Sequence, residues 1–146
     1  MMIPKKSVLA LTLLATGFGL VGFSLAGTDD DKSPVHKAMD TVTAKNAFIG
    51  KNLKPAVFKK NQKEIVESAK AIVTACKSVR DDPTPAKEMK KTQMEWSDLM
   101  DACVKQVETF ATDVAKTDIT PADAKAKYAS VSKSCTACHD VFRKED

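Results

Sequence analysis

Along most of this chain apolar residues recur at alternating spacings of four and three. That is the rhythm of a helix burying one stripe against its neighbours. Ser33-Pro34 is a cap followed by proline, and a first seam then runs through Val35, Met39, Val42, Ile49 and Leu53, with Asn46 as a polar exception. Pro55 stops it. A second seam carries Phe58, Gln62, Ile65, Ala69, Ile72, Cys76 and Val79. Asp81-Asp82-Pro83 breaks the chain, and Thr84-Pro85 restarts it into a third seam of Met89, Trp96, Met100, Cys103, Val107, Phe110 and Val114. Thr120-Pro121-Ala122-Asp123 resembles a capping box with Asp in place of Glu, and opens a fourth seam of Ala124, Tyr128, Val131, Cys135, Cys138 and Phe142.

Four such segments joined by short connections predict an all-α fold, an antiparallel up-down-up-down four-helix bundle. The composition agrees: 43% of residues are hydrophobic and 5% aromatic, with no Asn-Gly or Asp-Gly hairpin and no convincing period-two run, which disfavours a sandwich or barrel. Neither an internal repeat nor a second domain is evident, so residues 27–146 read as one domain.

Residues 1–26 read as an export signal. Lys5 and Lys6 form a basic start, residues 7–26 are uncharged and mostly apolar, and Ser24-Leu25-Ala26 offers small residues for cleavage. An uncleaved membrane anchor is the rival, weakened by Gly17, Gly19 and Gly22. Either way the domain is expected outside the cytoplasm, in the periplasm. The formal charge is +4, but Lys5 and Lys6 precede the first acidic residue, Asp29, so the domain itself carries about +2 with both signs interspersed. A nucleic-acid binder normally gathers Lys and Arg on one face, and no nucleic-acid partner is expected.

The chemistry concentrates in Cys135-Thr136-Ala137-Cys138-His139. This C-x-x-C-H arrangement is the attachment signature of a c-type haem. On a helix, residues three apart share a face about 5–6 Å apart, so both thiols can meet the two vinyl groups of one porphyrin. His139 follows directly and can serve as proximal ligand to the iron. Two other readings fit less well. A redox dithiol normally sits at a helix N-terminus, whereas this motif lies deep in the last segment. A zinc site wants a further ligand pair, which His36 does not convincingly supply.

The stretch from Val131 through Cys135, Cys138 and His139 to Arg143 resembles the C-terminus of the class II c-type cytochromes, the cytochrome c prime family. In motif the resemblance is confined to residues 131–143 and, loosely, the surroundings of Met39. It implies an exported four-helix bundle with one haem c, held through Cys135 and Cys138 near the end of the last helix. Arg143 matches a basic position that the family often keeps near the proximal histidine. The family divides on the far side of the iron: a high-spin branch binds nitric oxide or carbon monoxide, and a low-spin branch uses a methionine of the first helix to carry electrons.

A count along the helices bears on that division. In the expected topology Met39 lies about five residues into the first segment and His139 about six from the end of the fourth, so at about 1.5 Å per residue the two share a level. Met39 opposite His139 would give the thioether–imidazole pair of a cytochrome c, although a seam methionine is ordinarily core. His36, roughly 60° off the seam, is the competing ligand. The expectation is an electron carrier with redox partner proteins and no enzymatic chemistry, open to homodimer formation as the resemblance implies. The alternative is a haem protein that binds NO or CO at an open position.

Three further features look structural. If the second and third segments form a hairpin at Pro83, Cys76 and Cys103 are offset by about 20 Å, beyond disulfide reach, and read as buried free thiols. Trp96 reads as core. Lys51, Lys54, Lys59, Lys60 and Lys63 read as a solvated basic loop rather than a steering patch.

Overall fold

In a computed structural model, the structure describes residues 32–143, so the expected signal at residues 1–26 lies outside the described residues. The described chain is all-helical, with α1 at Pro34–Asn52, α2 at Pro55–Val79, a short α3 at Thr84–Glu88, α4 at Gln93–Val114 and α5 at Pro121–Phe142. The long helices pack side by side, α1 on α2, α2 on α4 and α4 on α5, with α3 laid against α4. Among the described residues no helix is long and apolar enough to cross a membrane.

Each helix begins where local chemistry favours a start. The Ser33 hydroxyl accepts the His36 N–H at 3.2 Å, and Pro34 fills the first turn, where a missing N–H does no harm. Pro55 likewise fills the first turn of α2, without a side-chain cap, after the two-residue link Leu53-Lys54. At α5 the Thr120 hydroxyl accepts the Asp123 N–H at 3.1 Å and donates to the Asp123 carboxylate at 2.6 Å.

The third predicted segment is not continuous. Helix α3 ends at Glu88, and Lys90 takes a positive φ of 55°. The Lys91 N–H then reaches back to the Ala86 carbonyl at 2.8 Å, closing α3 as a left-handed residue at a helix C-terminus does. Thr92 begins α4 with a full capping box: its hydroxyl accepts the Glu95 N–H at 3.1 Å, and the Glu95 carboxylate accepts the Thr92 N–H at 2.8 Å. The expected seam passed through this break because Met89 and Trp96, seven residues apart, keep its phase.

The seams otherwise meet as expected. Phe58, Ile65, Ala69, Ile72, Cys76 and Val79 of α2 are buried, as are Trp96, Met100, Cys103, Val107, Phe110 and Val114 of α4. Polar side chains then tie the helices together. Gln62 of α2 donates to the Val114 and Lys116 carbonyls at 2.6 and 2.8 Å, satisfying acceptors that the end of α4 leaves open. Asp113, buried at the end of α4, pairs with Lys116 at 2.5 Å and with Lys127 of α5 at 3.0 Å. Asn46, the polar residue on the first seam, accepts from the Tyr128 hydroxyl through its side-chain oxygen and, at 3.1 Å, through its backbone carbonyl. That contact joins α1 to α5, two helices that share no extensive backbone packing.

Candidate functional site

Where α1 and α5 stand apart, a cavity of about 790 Å3 opens beside the bundle core. That size lies within the range of about 300–1,000 Å3 common for small-molecule and cofactor sites. Helix α1 lines it with Val35, His36, Met39 and Val42, and α5 faces them with Cys135, Cys138, His139 and Phe142. Cys76 of α2 and Trp96, Met100 and Cys103 of α4 complete the lining, and the end of α3 adds Pro85 and Met89.

The half-buried part of the first seam explains the opening. Val35, Met39 and Val42 are only partly covered, whereas Ile49 and Leu53, further along the same seam, are buried. The N-terminal half of α1 thus presents apolar side chains to the cavity instead of to another helix. Trp96 forms a rigid wall: it is 3% exposed, donates its indole N–H to the Val79 carbonyl at 2.9 Å, and meets the Phe142 ring edge-on at 5.2 Å.

All four residues expected to hold a cofactor, Met39, Cys135, Cys138 and His139, line this one space. Cys138 is buried, Cys135 half-buried and His139 exposed, so the motif lies at the edge of the cavity rather than wholly inside it. His36 lines the same cavity, exposed, with its ring Nδ1 3.0 Å from the Ser33 hydroxyl. The Arg143 side chain also borders it.

The cysteines depart from expectation. Cys76 and Cys103 are not far apart: both line the cavity, and Cys103 neighbours the thiols of Cys76 and Cys135. The expected separation assumed a tight hairpin at Pro83. The segment between Val79 and Gln93 instead holds α3, so α4 starts later and the residue count from the proline no longer measures height along the bundle. All four cysteines therefore face one cavity, and each is a free thiol.

Burial and neighbours set the protonation of these thiols. The hydrogen bond to Cys103 and then burial push Cys135 well above the usual thiol range, and the same two causes raise Cys76. Burial, followed by the charge of Cys103, moves Cys138 up to about 11. Hydrogen bonds from Cys135 and then Cys76 hold Cys103 down, which makes it the thiol of the cluster best able to ionise. The C-x-x-C pair is thus protonated near neutrality, unlike an activated redox dithiol.

A haem fits this donor set. Two thiols one turn apart can meet its vinyl groups, His139 stands next to them, a methionine thioether lines the opposite helix, and valine, tryptophan and phenylalanine side chains offer apolar cover. Sequence reasoning missed Met100, Met89 and the two interior cysteines as lining residues; all four sit on the predicted seams, where a core position and a cavity wall look alike. No protein-family model matches the chain, nor does any curated protein or solved structure.

Proposed function

We propose that this chain is an exported electron-carrying c-type cytochrome, a single antiparallel four-helix bundle with one haem c near the C-terminal end of α5. The observation that carries the reading is that Met39 of α1 and Cys135, Cys138 and His139 of α5 border one cavity lined largely by apolar side chains. The two-residue link between α1 and α2 and the order of helix packing support the up-down-up-down course.

In this reading Cys135 and Cys138 would hold the haem through thioethers, and His139 and Met39 would hold its iron. Haem bound there supplies a one-electron ferric–ferrous couple. Trp96, pinned by its hydrogen bond to Val79 and by Phe142, keeps the cavity wall fixed. Val35, Val42 and Met100 exclude water from the buried side, and such an apolar shell tunes a redox potential. The Asn46–Tyr128 contact ties α1, which carries Met39, to α5, which carries the motif. Redox partner proteins would exchange electrons where the motif meets solvent, at exposed His139.

The test is the visible spectrum of protein matured with haem-attachment machinery. Sharp low-spin bands that ignore carbon monoxide are expected. They should be lost in Met39→Ala and kept in His36→Ala. A high-spin ferrous spectrum that shifts with carbon monoxide in the unaltered protein would replace this reading with gas binding at an open position.

A further inference from the structure

Cys76 and Cys103 have no part in holding the haem. They come from adjacent packed helices, α2 and α4, are 2% and 4% exposed, and line the same cavity. Cys103 of α4 lines the cavity with Cys76 of α2 and Cys135 of α5, and its thiol neighbours both of theirs. Two buried thiols on packed helices that open to one cavity are placed to bond covalently across it. In an oxidising compartment two such thiols do not stay reduced for want of a partner.

We propose that Cys76 and Cys103 form an inter-helix disulfide that ties α2 to α4 at the cavity and withdraws Cys103 from Cys135. The choice of Cys76 rather than Cys135 as partner rests on the proposed function, which commits the Cys135 sulfur to a thioether. The oxidant is an organic disulfide, of the class that drives thiol exchange outside the cytoplasm, reaching the thiols through the cavity. Cys103 gives up its proton and attacks one sulfur of that disulfide, forming a mixed disulfide and expelling one thiol. Cys76 then gives up its proton and attacks the Cys103 sulfur; the protein disulfide forms, the mixed bond breaks and a second thiol leaves. Two protein thiols are oxidised, one disulfide is reduced, and the two protons depart on the released thiols. Cys103, placed between the other two thiols and held below the usual thiol range, is favoured as the first attacker.

Without Cys76, the mixed disulfide on Cys103 is open to attack by Cys135, which removes a haem-binding thiol. Cys76 therefore also protects the attachment motif.

The experiment uses the full chain exported alongside haem-attachment machinery, denatured in acid, alkylated without reductant and mapped by peptide mass. The expected result is a Cys76 peptide linked to a Cys103 peptide, neither alkylated until reductant is added, with the tetrapyrrole on the Cys135–Cys138 peptide. Alkylation of both Cys76 and Cys103 before reduction overturns the proposal, as does a Cys103–Cys135 link in the unaltered chain. Either result can arise with haem present, which leaves the proposed function standing. A Cys76–Cys103 link with no tetrapyrrole supports the disulfide and counts against the haem instead. Cys76→Ser should yield a Cys103–Cys135 link and at least a several-fold loss of chain carrying two thioethers; an unchanged haem yield with Cys103 free would contradict the protective role.

Discussion

Asp113 shows how single residues tune this bundle. Its carboxyl is held below its ordinary value of 3.8, first by the hydrogen bond from Lys116 and then by that from Lys127. A carboxylate with a depressed folded value stabilises the fold at pH values above the unfolded one and loses that contribution as pH falls through the folded one. Asp113→Asn should therefore lower the urea midpoint at pH 7, and its gap from the unaltered protein should close below about pH 4. A gap independent of pH would mean that the ion pairs add nothing. Tyr128, raised to about 12 by burial, stays a neutral donor at any physiological pH. Tyr128→Phe should cost about 1 kcal/mol in chemical denaturation, because the Asn46 oxygens lose their partner. The need for Tyr128 was half visible in the sequence: Asn46 broke the first seam, but nothing local named the residue that would satisfy it.

At the scale of elements, starts were easier to read than ends. Ser33-Pro34, Pro55 and Thr120-Pro121 announce α1, α2 and α5, because cap chemistry is local and proline forbids most alternatives. The Thr92…Glu95 box was equally local but lay inside an unbroken apolar phase, and the period overrode it. Two substitutions probe that break. Thr92→Ala should destabilise by about 1 kcal/mol through loss of the cap. Lys90→Gly should stabilise by up to about 1 kcal/mol, since glycine carries no steric penalty at a φ of 55°. Thermal unfolding of the two variants against the unaltered chain reads both signs. If Lys90→Gly destabilises instead, the left-handed closure of α3 is not what ends that helix.

The whole molecule combines a sealed core and a deliberately incomplete one. Phe58 and Phe110 are effectively without solvent contact, and Phe110 also meets the Tyr128 ring at 5.5 Å. Phe110→Ala should cost about 3–5 kcal/mol by opening a cavity among rigid neighbours, measurable by urea unfolding. At the other end of α1, the seam residues Val35, Met39 and Val42 have a space before them instead of a helix. The four-and-three spacing fixed which residues face inward, so the motif and Met39 could be assigned to one side of their helices from sequence. Spacing carries no information about whether a neighbouring helix or a ligand fills the volume, nor about the path of the α2–α4 connection. Those two facts decided the cavity and the meeting of Cys76 with Cys103.

Covalent attachment at Cys135 and Cys138 is the claim on which the rest depends, and the intact mass of the denatured chain tests it most directly. Chain matured with haem-attachment machinery should carry one tetrapyrrole that survives acid denaturation, and the doubly substituted Cys135→Ser, Cys138→Ser chain should carry none. An unaltered chain that matures at its bare polypeptide mass, in cells that load another c-type cytochrome, would contradict the account.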